Sequence, residues 1–387
     1  MNRSIFAAFV GAILACAVCF GQDFSSYRAP QTLQGQPATS FSLGLPEGRD
    51  PLSPYYVPAA QVFDLDKGNE ELFAKEMVPI TKSLGFWMGQ AETLKAILKQ
   101  FPDLFSQCLA ARDAFQRNVG PAILQVLYIL DRATKGKMNA AALQSSFFGE
   151  LKKLVKAKPE HRAKLPWLFG DRISRGQAEG FIKLVEARSR FEADLEALRP
   201  LLLFHPRALA DPMGLASGDF LKRFDFDTHP KAKGLTGWVR YPAHWEVKEG
   251  NGPNIVARFL SPRDGAMFFL MVKSLPQDIP EGESLGPLLS DEETIRGMAQ
   301  GQEVISKRIV QVAGQEALEL RTKGTQNTPV ARIFQEQIIY MIFYRKWMMS
   351  LFEGVSALSE EDCSAAMGRN LQAFQYLATM CGIKRIP

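Results

Sequence analysis

Histidine and cysteine are scarce here, with four and five residues in a chain of 387. The histidines, His161, His205, His229 and His244, stand alone, without the HxH or HExxH spacing that would offer a metal two ligands from one element. Cys16 and Cys19 lie in an apolar leader. The other three, Cys108, Cys363 and Cys381, are too few and too scattered for a disulfide scaffold, and no CxxC pair exists for structural zinc or dithiol redox chemistry. A Walker A loop and a Gly-x-Gly-x-x-Gly turn are absent. The nearest approach to a hydrolase elbow, Gly214-Leu215-Ala216-Ser217-Gly218, has the wrong spacing and reads as a loop. No sign of charge dominates: 46 Lys and Arg against 41 Asp and Glu give +5, which argues against a dedicated nucleic-acid binder. What is present is ordinary globular material, 46% apolar and 22% charged, which rules out collagen, wholesale disorder and a polytopic membrane protein.

Residues 1–21 read as a secretory signal. Arg3 is the positive n-region, residues 5–20 are uncharged and mostly apolar, and Cys19-Phe20-Gly21 puts small residues at both recognition positions. The mature chain is then expected to start at Gln22, exported to the periplasm or secreted. Ile13-Leu14-Ala15-Cys16 loosely resembles a lipobox, although Leu14 fits it poorly, so a lipoprotein is the lesser alternative. A signal anchor is disfavoured because proline-rich sequence follows, not a stop-transfer pattern.

Residues 22–58 hold six prolines among Gln, Ser, Gly and Thr and read as a linker or a strap laid on a surface. A helical domain is expected over 59–200. Asn69 is the expected first cap, Pro79 an expected kink, and Pro102 and Gly120-Pro121 mark helix starts, with Asn139 capping the next. One long helix is expected from Ser174 to Arg199, where Phe181, Leu184, Phe191, Leu195 and Leu198 recur at heptad intervals. Prolines and glycines crowd 201–234, read as the linker to a second domain at 235–387. There the period turns to two. Strands are expected at 237–241, 244–247, 255–260 and 267–272, then a helix opened by a Ser290–Glu293 capping box. Two hairpins follow, turning at Ala313-Gly314 and at Tyr344-Arg345-Lys346, and a helix opened by Ser359 runs to about Gly382.

Three features of residues 235–383 are similar to the PsbP-like superfamily: the opening Trp238-Val239-Arg240-Tyr241-Pro242-Ala243-His244-Trp245, the Val312-Ala313-Gly314-Gln315-Glu316-Ala317 hairpin, and the closing paired strands followed by one amphipathic helix. That resemblance implies an antiparallel sheet between helices and a binding or assembly role without enzyme chemistry, as in photosystem accessory subunits, nuclear-transport cofactors and bacterial exported lipoproteins. The fold class expected is therefore multidomain: a mainly α N-terminal domain, then an α+β domain. Nothing resembles the helical domain.

Asp225, Asp227 and His229 are the best metal candidates, since alternate residues of an extended segment point one way, although acids and a histidine before Pro230 are commonly turn residues. Asp64 to Glu70 only faintly follows a calcium loop, with Asn69 where glycine is required; helix capping explains it better. The strongest asymmetry is electrostatic. Residues 132–175 hold eleven basic side chains against three acids, or +8, and Lys152, Lys153, Lys156, Lys158, Arg162 and Lys164 are the candidate binding residues for an anionic membrane surface or an acidic envelope protein. No cofactor and no nucleic-acid partner are expected. The expected function is an exported, non-enzymatic binding or assembly factor of the bacterial envelope, with a hydrolase or metal-dependent enzyme whose residues converge at the domain junction as the alternative. N-terminal sequencing of the exported protein should read Gln22; a lipidated chain starting at Cys16 would replace signal cleavage by the lipoprotein reading.

Overall fold

The computed structural model describes residues 33, 38–157, 170–216, 218–263, 265–279, 284–299, 301–327 and 331–384. The leader, with Cys16 and Cys19, lies outside them. The chain divides into two compact units, Met1–Asp211 and Pro212–Pro387.

In the first unit a short ribbon, β1 (Ala38–Phe41) paired antiparallel with β2 (Ala60–Phe63), precedes α1 (Lys67–Gln100). The cap of α1 is Asp66, not Asn69: its carboxylate accepts the Asn69 N–H at 2.7 Å, which lets Lys67 and Gly68 enter the first turn. Pro79 lies inside α1 and does not end it. Likewise α2 (Phe105–Ala133) runs straight through Gly120-Pro121, expected to be a helix start. A side chain on Gly120 would come within 2.9 Å of Val57, so the glycine serves close packing, and burial of this face offsets the proline's lost hydrogen bond. Next comes α3 (Ala140–Ala157), capped by Asn139 as expected, its Oδ1 accepting the Ala142 N–H at 3.0 Å.

The long helix expected from Ser174 to Arg199 is broken. α4 (Arg175–Ser189) opens on a full capping box of Ser174 and Gln177, and α5 (Leu195–Leu202) restarts after Phe191 and Asp194 have both taken positive φ, 56° and 52°. The turn brings Phe191 into the core at 1% exposure and the Asp194 carboxylate to 2.7 Å from Arg188 Nε. Arg188 also donates to Gln90 at 3.0 Å and lies 4.2 Å over the Phe86 ring. A heptad pattern fixes which residues are buried, but not whether the chain turns between them. α6 (Pro206–Ala210) follows, and in the proline-rich stretch Leu43, Leu45, Tyr55 and Val57 are buried.

The second unit is the α+β part, with antiparallel sheets flanked by helices, as expected. Its strands are β3 (Leu221–Asp225), β4 (Gly237–Pro242), β5 (Glu246–Glu249), β6 (Ile255–Leu260) and β7 (Met267–Ile279), then, past helices α7 (Gly286–Ser290) and α8 (Glu292–Met298), β8 (Glu303–Val312), β9 (Gln315–Asn327) and β10 (Arg332–Ala357). Helix α9 (Glu360–Thr379), capped by Ser359, and β11 (Cys381–Ile383) complete it. One sheet has the order β5-β6-β7-β10-β9-β8, and a smaller one has the order β11-β4-β3. The α8 cap is Asp291, which accepts from Glu293 and Thr294 N–H, and Ser290 instead closes α7.

β10 is one extended run of 26 residues that folds back on itself. Residues 332–342 pair with β9 and residues 345–354 with β7, both antiparallel. In a straight strand, Gly354 and Gln337 would stand about 56 Å apart at about 3.3 Å per residue. Instead, a side chain on Gly354 would meet Gln337 Cβ and Glu336 O at 3.0 Å. The reversal is at Arg345, φ +51°, with the rings of Tyr344 and Trp347 stacked 6.5 Å apart across it, so the expected hairpin is there. It also switches parity: Ile338, Tyr340, Ile342 and Tyr344 before the turn, and Trp347, Met349, Leu351 and Val355 after it, bury one face against α9. Ile339 and Met341, joined by Phe343, Met348 and Phe352, bury the other against α7 and α8.

The last helix stops at Thr379, so Cys381 is on β11 and not on the helix. Cys108, Cys363 and Cys381 are buried free thiols. A side chain at Gly237 would lie 2.4 Å from the Gly382 backbone oxygen, whereas one at Gly368, inside α9, meets nothing within 4 Å. Gly237→Ala should therefore cost about 1–3 kcal/mol by forcing β4 from β11, and Gly368→Ala should add about 0.5–1 kcal/mol. Urea midpoints moving in the same direction for both would contradict this packing.

Candidate functional site

The three metal candidates do not form a ligand set. Asp225 makes a forked pair with Arg223, its Oδ1 2.6 Å from Nη2, and lies 3.6 Å from Lys384 Nζ. Asp227 pairs with Lys384 and accepts the Gly237 N–H at 2.9 Å, and these contacts, Lys384 first, hold its carboxyl below the usual carboxylate range. His229 turns away: its Nδ1 accepts the Lys231 N–H at 3.3 Å and its Nε2 lies 3.2 Å from Glu249. The residues do a turn's work instead, tying β3 to the end of the chain. Among the described residues no three His, Cys, Asp or Glu side chains are placed to hold a metal ion.

Of the basic candidates, Lys152 and Lys156 are exposed on α3, and Lys153 is 2.8 Å from Glu150. Lys158, Arg162 and Lys164 lie outside the described residues. Asp64, in the faint calcium loop, is taken by Arg132 and Tyr128, and Asp66 caps α1.

The arrangement the sequence did not reveal is at the open end of the large sheet. The start of β8, the end of β9, the start of β10 and the first turn of α9 surround a cleft of about 550 Å³. Its floor is fixed by Gln302, whose Oε1 accepts from Thr322 Oγ1 and Gln337 Nε2, both at 2.6 Å. Gly324 admits Gln302 there, since a side chain on it would come 3.0 Å from Gln302 Cγ. Lys323 stands between Glu303 at 3.4 Å and Glu360 at 3.8 Å, and Glu336, on the wall, is 2.9 Å from Arg321 Nε. Arg332 stacks 5.1 Å over Phe334 and has no acid partner among the described residues. Cys363 also lines the cleft, but burial, and after it the nearby Glu336, raise its pKa, so the thiolate a nucleophile needs is disfavoured. The cleft offers mixed charge, paired internally except at Arg332, and several amides, which suits recognition of a polar surface.

Deeper under α9 lies a carboxyl group sealed from solvent. Glu353 is 0% exposed, and neither of its oxygens has a hydrogen-bond partner among the described residues. Burial, and then the charge of Glu319, push its pKa well above the ordinary glutamate value. Tyr340 and Cys381 feel it in turn; the Cys381 thiol is pushed up to about 12 by burial first and by Glu353 second. The signal in the sequence was a single acid inside the apolar run Met348 to Val355, which strand periodicity alone does not separate from a solvent-facing position.

No family model matches the sequence, and no curated protein matches it. Among solved structures, a protein of Bacteroides thetaiotaomicron VPI-5482 is similar at 10% identity and TM-score 0.26, over 38% of this chain and 45% of that one. LpqN, described as involved in cell envelope biogenesis of Mycobacterium tuberculosis, is similar at 12% identity and TM-score 0.27, over 43% of this chain and 92% of its own. The chain thus spans less than half the length of the Bacteroides protein. Likenesses of this size carry no functional argument, and they do not confirm the PsbP-like resemblance.

Glu353 makes stability depend on pH with a definite sign. Its folded pKa lies above the unfolded value of about 4.3, so the unfolded chain binds fewer protons and stability falls as pH rises through that window, by up to about 1.4 kcal/mol per unit. Below about pH 4 both states are protonated and the penalty vanishes. Glu353→Gln should flatten the urea midpoint between pH 5 and 8; a slope equal to that of the natural protein would show that Glu353 is charged in the fold.

Proposed function

We propose that this chain is an exported, non-enzymatic binding or assembly factor of the bacterial cell envelope, and that its C-terminal unit recognises an extended polar segment of an envelope protein through the cleft at the open end of the sheet. The observation that carries this reading is the state of the cleft's charged groups. Lys323 is shared by Glu303 and Glu360, Glu336 is held by Arg321, and the Cys363 thiol is kept neutral, so no side chain stands as an activated nucleophile beside a free base. Paired charges at a concave rim instead favour specificity and register over chemistry, because each can exchange its internal partner for an external one of the same sign. The secretory leader supplies the export half of the proposal, and the sequence features similar to the PsbP-like superfamily agree with a binding role.

Photo-crosslinking in the source bacterium tests it. A crosslinker replacing Gln326, on the cleft, should capture a defined envelope protein, and Lys323→Glu should abolish that adduct. A crosslinker replacing the exposed Lys248 on β5 should not capture it. The same adduct from both positions, or an adduct indifferent to Lys323→Glu, would remove the cleft from the recognition surface.

A further inference from the structure

We propose that the N-terminal unit carries a separate binding site for a phosphate-bearing ligand, formed by Lys99 and Arg172 at a cavity of about 590 Å³ beside the carboxyl end of α1. Two observations converge on it. The first is how the cations are placed. Gln100 donates from Nε2 to the Asp171 carbonyl at 3.2 Å and accepts the Ile173 N–H at 2.9 Å on Oε1, so the nitrogen and the oxygen of its side-chain amide together clamp segment 171–173 against the helix end. Arg172, between the two clamped residues, is thereby held at the same cavity as Lys99.

The second observation is what the other charges there are doing. Lys95, also at the cavity, is 2.9 Å from Glu47 and 3.8 Å from Glu92. Glu92, the one acid among the described residues that line the cavity, is further occupied by the Tyr55 hydroxyl at 2.9 Å. Lys99 and Arg172 have no acid partner among the described residues. In the unit's other described cavity the single cation, Arg132, is held by Asp64. The two cations at this concavity, without an acid partner among the described residues, differ from Arg132 in that respect. The carboxyl end of α1 offsets about half a charge, which Lys99 alone covers, and Arg172 remains in excess.

A phosphate group answers this arrangement better than a single carboxylate. It brings between one and two negative charges at neutral pH and three acceptor oxygens, enough for a forked guanidinium and an ammonium together. Phe101, Ile173 and Ala96 give the cavity an apolar side for the carbon portion of a phosphate ester. A soluble organophosphate and a phospholipid headgroup share this chemistry. Exposed Lys152 and Lys156 on α3 supply positive charge elsewhere in the unit, so diffuse attraction is the competing account.

The test uses the mature full-length chain with two probes: pyrophosphate by titration calorimetry, and flotation with vesicles of phosphatidylglycerol in phosphatidylcholine, both at about 0.15 M salt, where the screening length is about 8 Å. At least one probe should bind, and the Lys99→Gln/Arg172→Gln double variant should weaken it at least tenfold without changing the thermal midpoint. The Lys152→Gln/Lys156→Gln control should weaken it less than twofold, and Lys99→Arg should bind within threefold of the natural chain. Binding of pyrophosphate assigns a soluble ligand; binding of the vesicles alone assigns a headgroup. Failure of both probes, or equal losses in the two double variants, would overturn the site. Neither result bears on the cleft of the other unit.

Discussion

The reversal at Arg345 is the constraint on which the C-terminal unit depends. Two residues' worth of turn convert one long apolar run into two neighbouring arms at the centre of the large sheet, and every other strand of that sheet is placed by pairing outward from them. Because side chains alternate with a period of two, the turn also decides which residues meet α9 and which meet α7 and α8. A slip of one residue would exchange the two cores, putting Tyr340 and Glu353 under the short helices and Phe343 and Phe352 under the long one. Tyr344, Trp347, Arg345 and Lys346 guard against it: the two rings stack, and each cation lies over its neighbouring ring, 5.6 Å and 4.9 Å from the centroid.

In the N-terminal unit the corresponding role belongs to Arg188. Its guanidinium is desolvated between two aromatic rings, at 4.2 Å and 5.5 Å, and is compensated by Asp194 and Gln90. A buried cation is expensive unless its hydrogen bonds are met, so the loop that presents Asp194 is selected by the helix it interrupts. Strain at Phe191 and Asp194 persists because the surrounding contacts determine both residues.

Much of this was legible in the sequence, and the exceptions have physical causes. Several local patterns were read correctly: the strands from Gly237 on, the hairpins at Ala313-Gly314 and Tyr344-Arg345-Lys346, and the Ser359 cap, whereas β3 (Leu221–Asp225) lies inside the stretch expected to be a linker. Signals that depend on tertiary packing were misread. Gly120-Pro121 looks like a helix start until Val57 is seen filling the space beside the glycine, and the heptads from Phe181 to Leu198 continue unbroken across a turn that only Arg188 explains. Caps were misplaced by a few residues, at Asn69 and Ser290, because neighbouring acids compete for the same amides. The cleft was invisible, since Gln302, Lys323, Glu336 and Glu360 come from four elements and share no spacing. Asp225, Asp227 and His229 do share one, but the structure engages them with Arg223, Lys384 and Glu249 and does not bring them together as ligands.

The pairing of β11 with β4 joins residues 381–383 to residues 237–239. A chain synthesised from its amino end delivers β4 long before β11, so the smaller sheet waits with an open edge until some 140 intervening residues have followed. Non-local pairing of this kind is slow, and an uncovered edge is a template for the wrong strand. Folding of this unit is thereby set by the arrival of its last strand and not of its first, and β4 is the segment that a holding chaperone would have the most reason to cover.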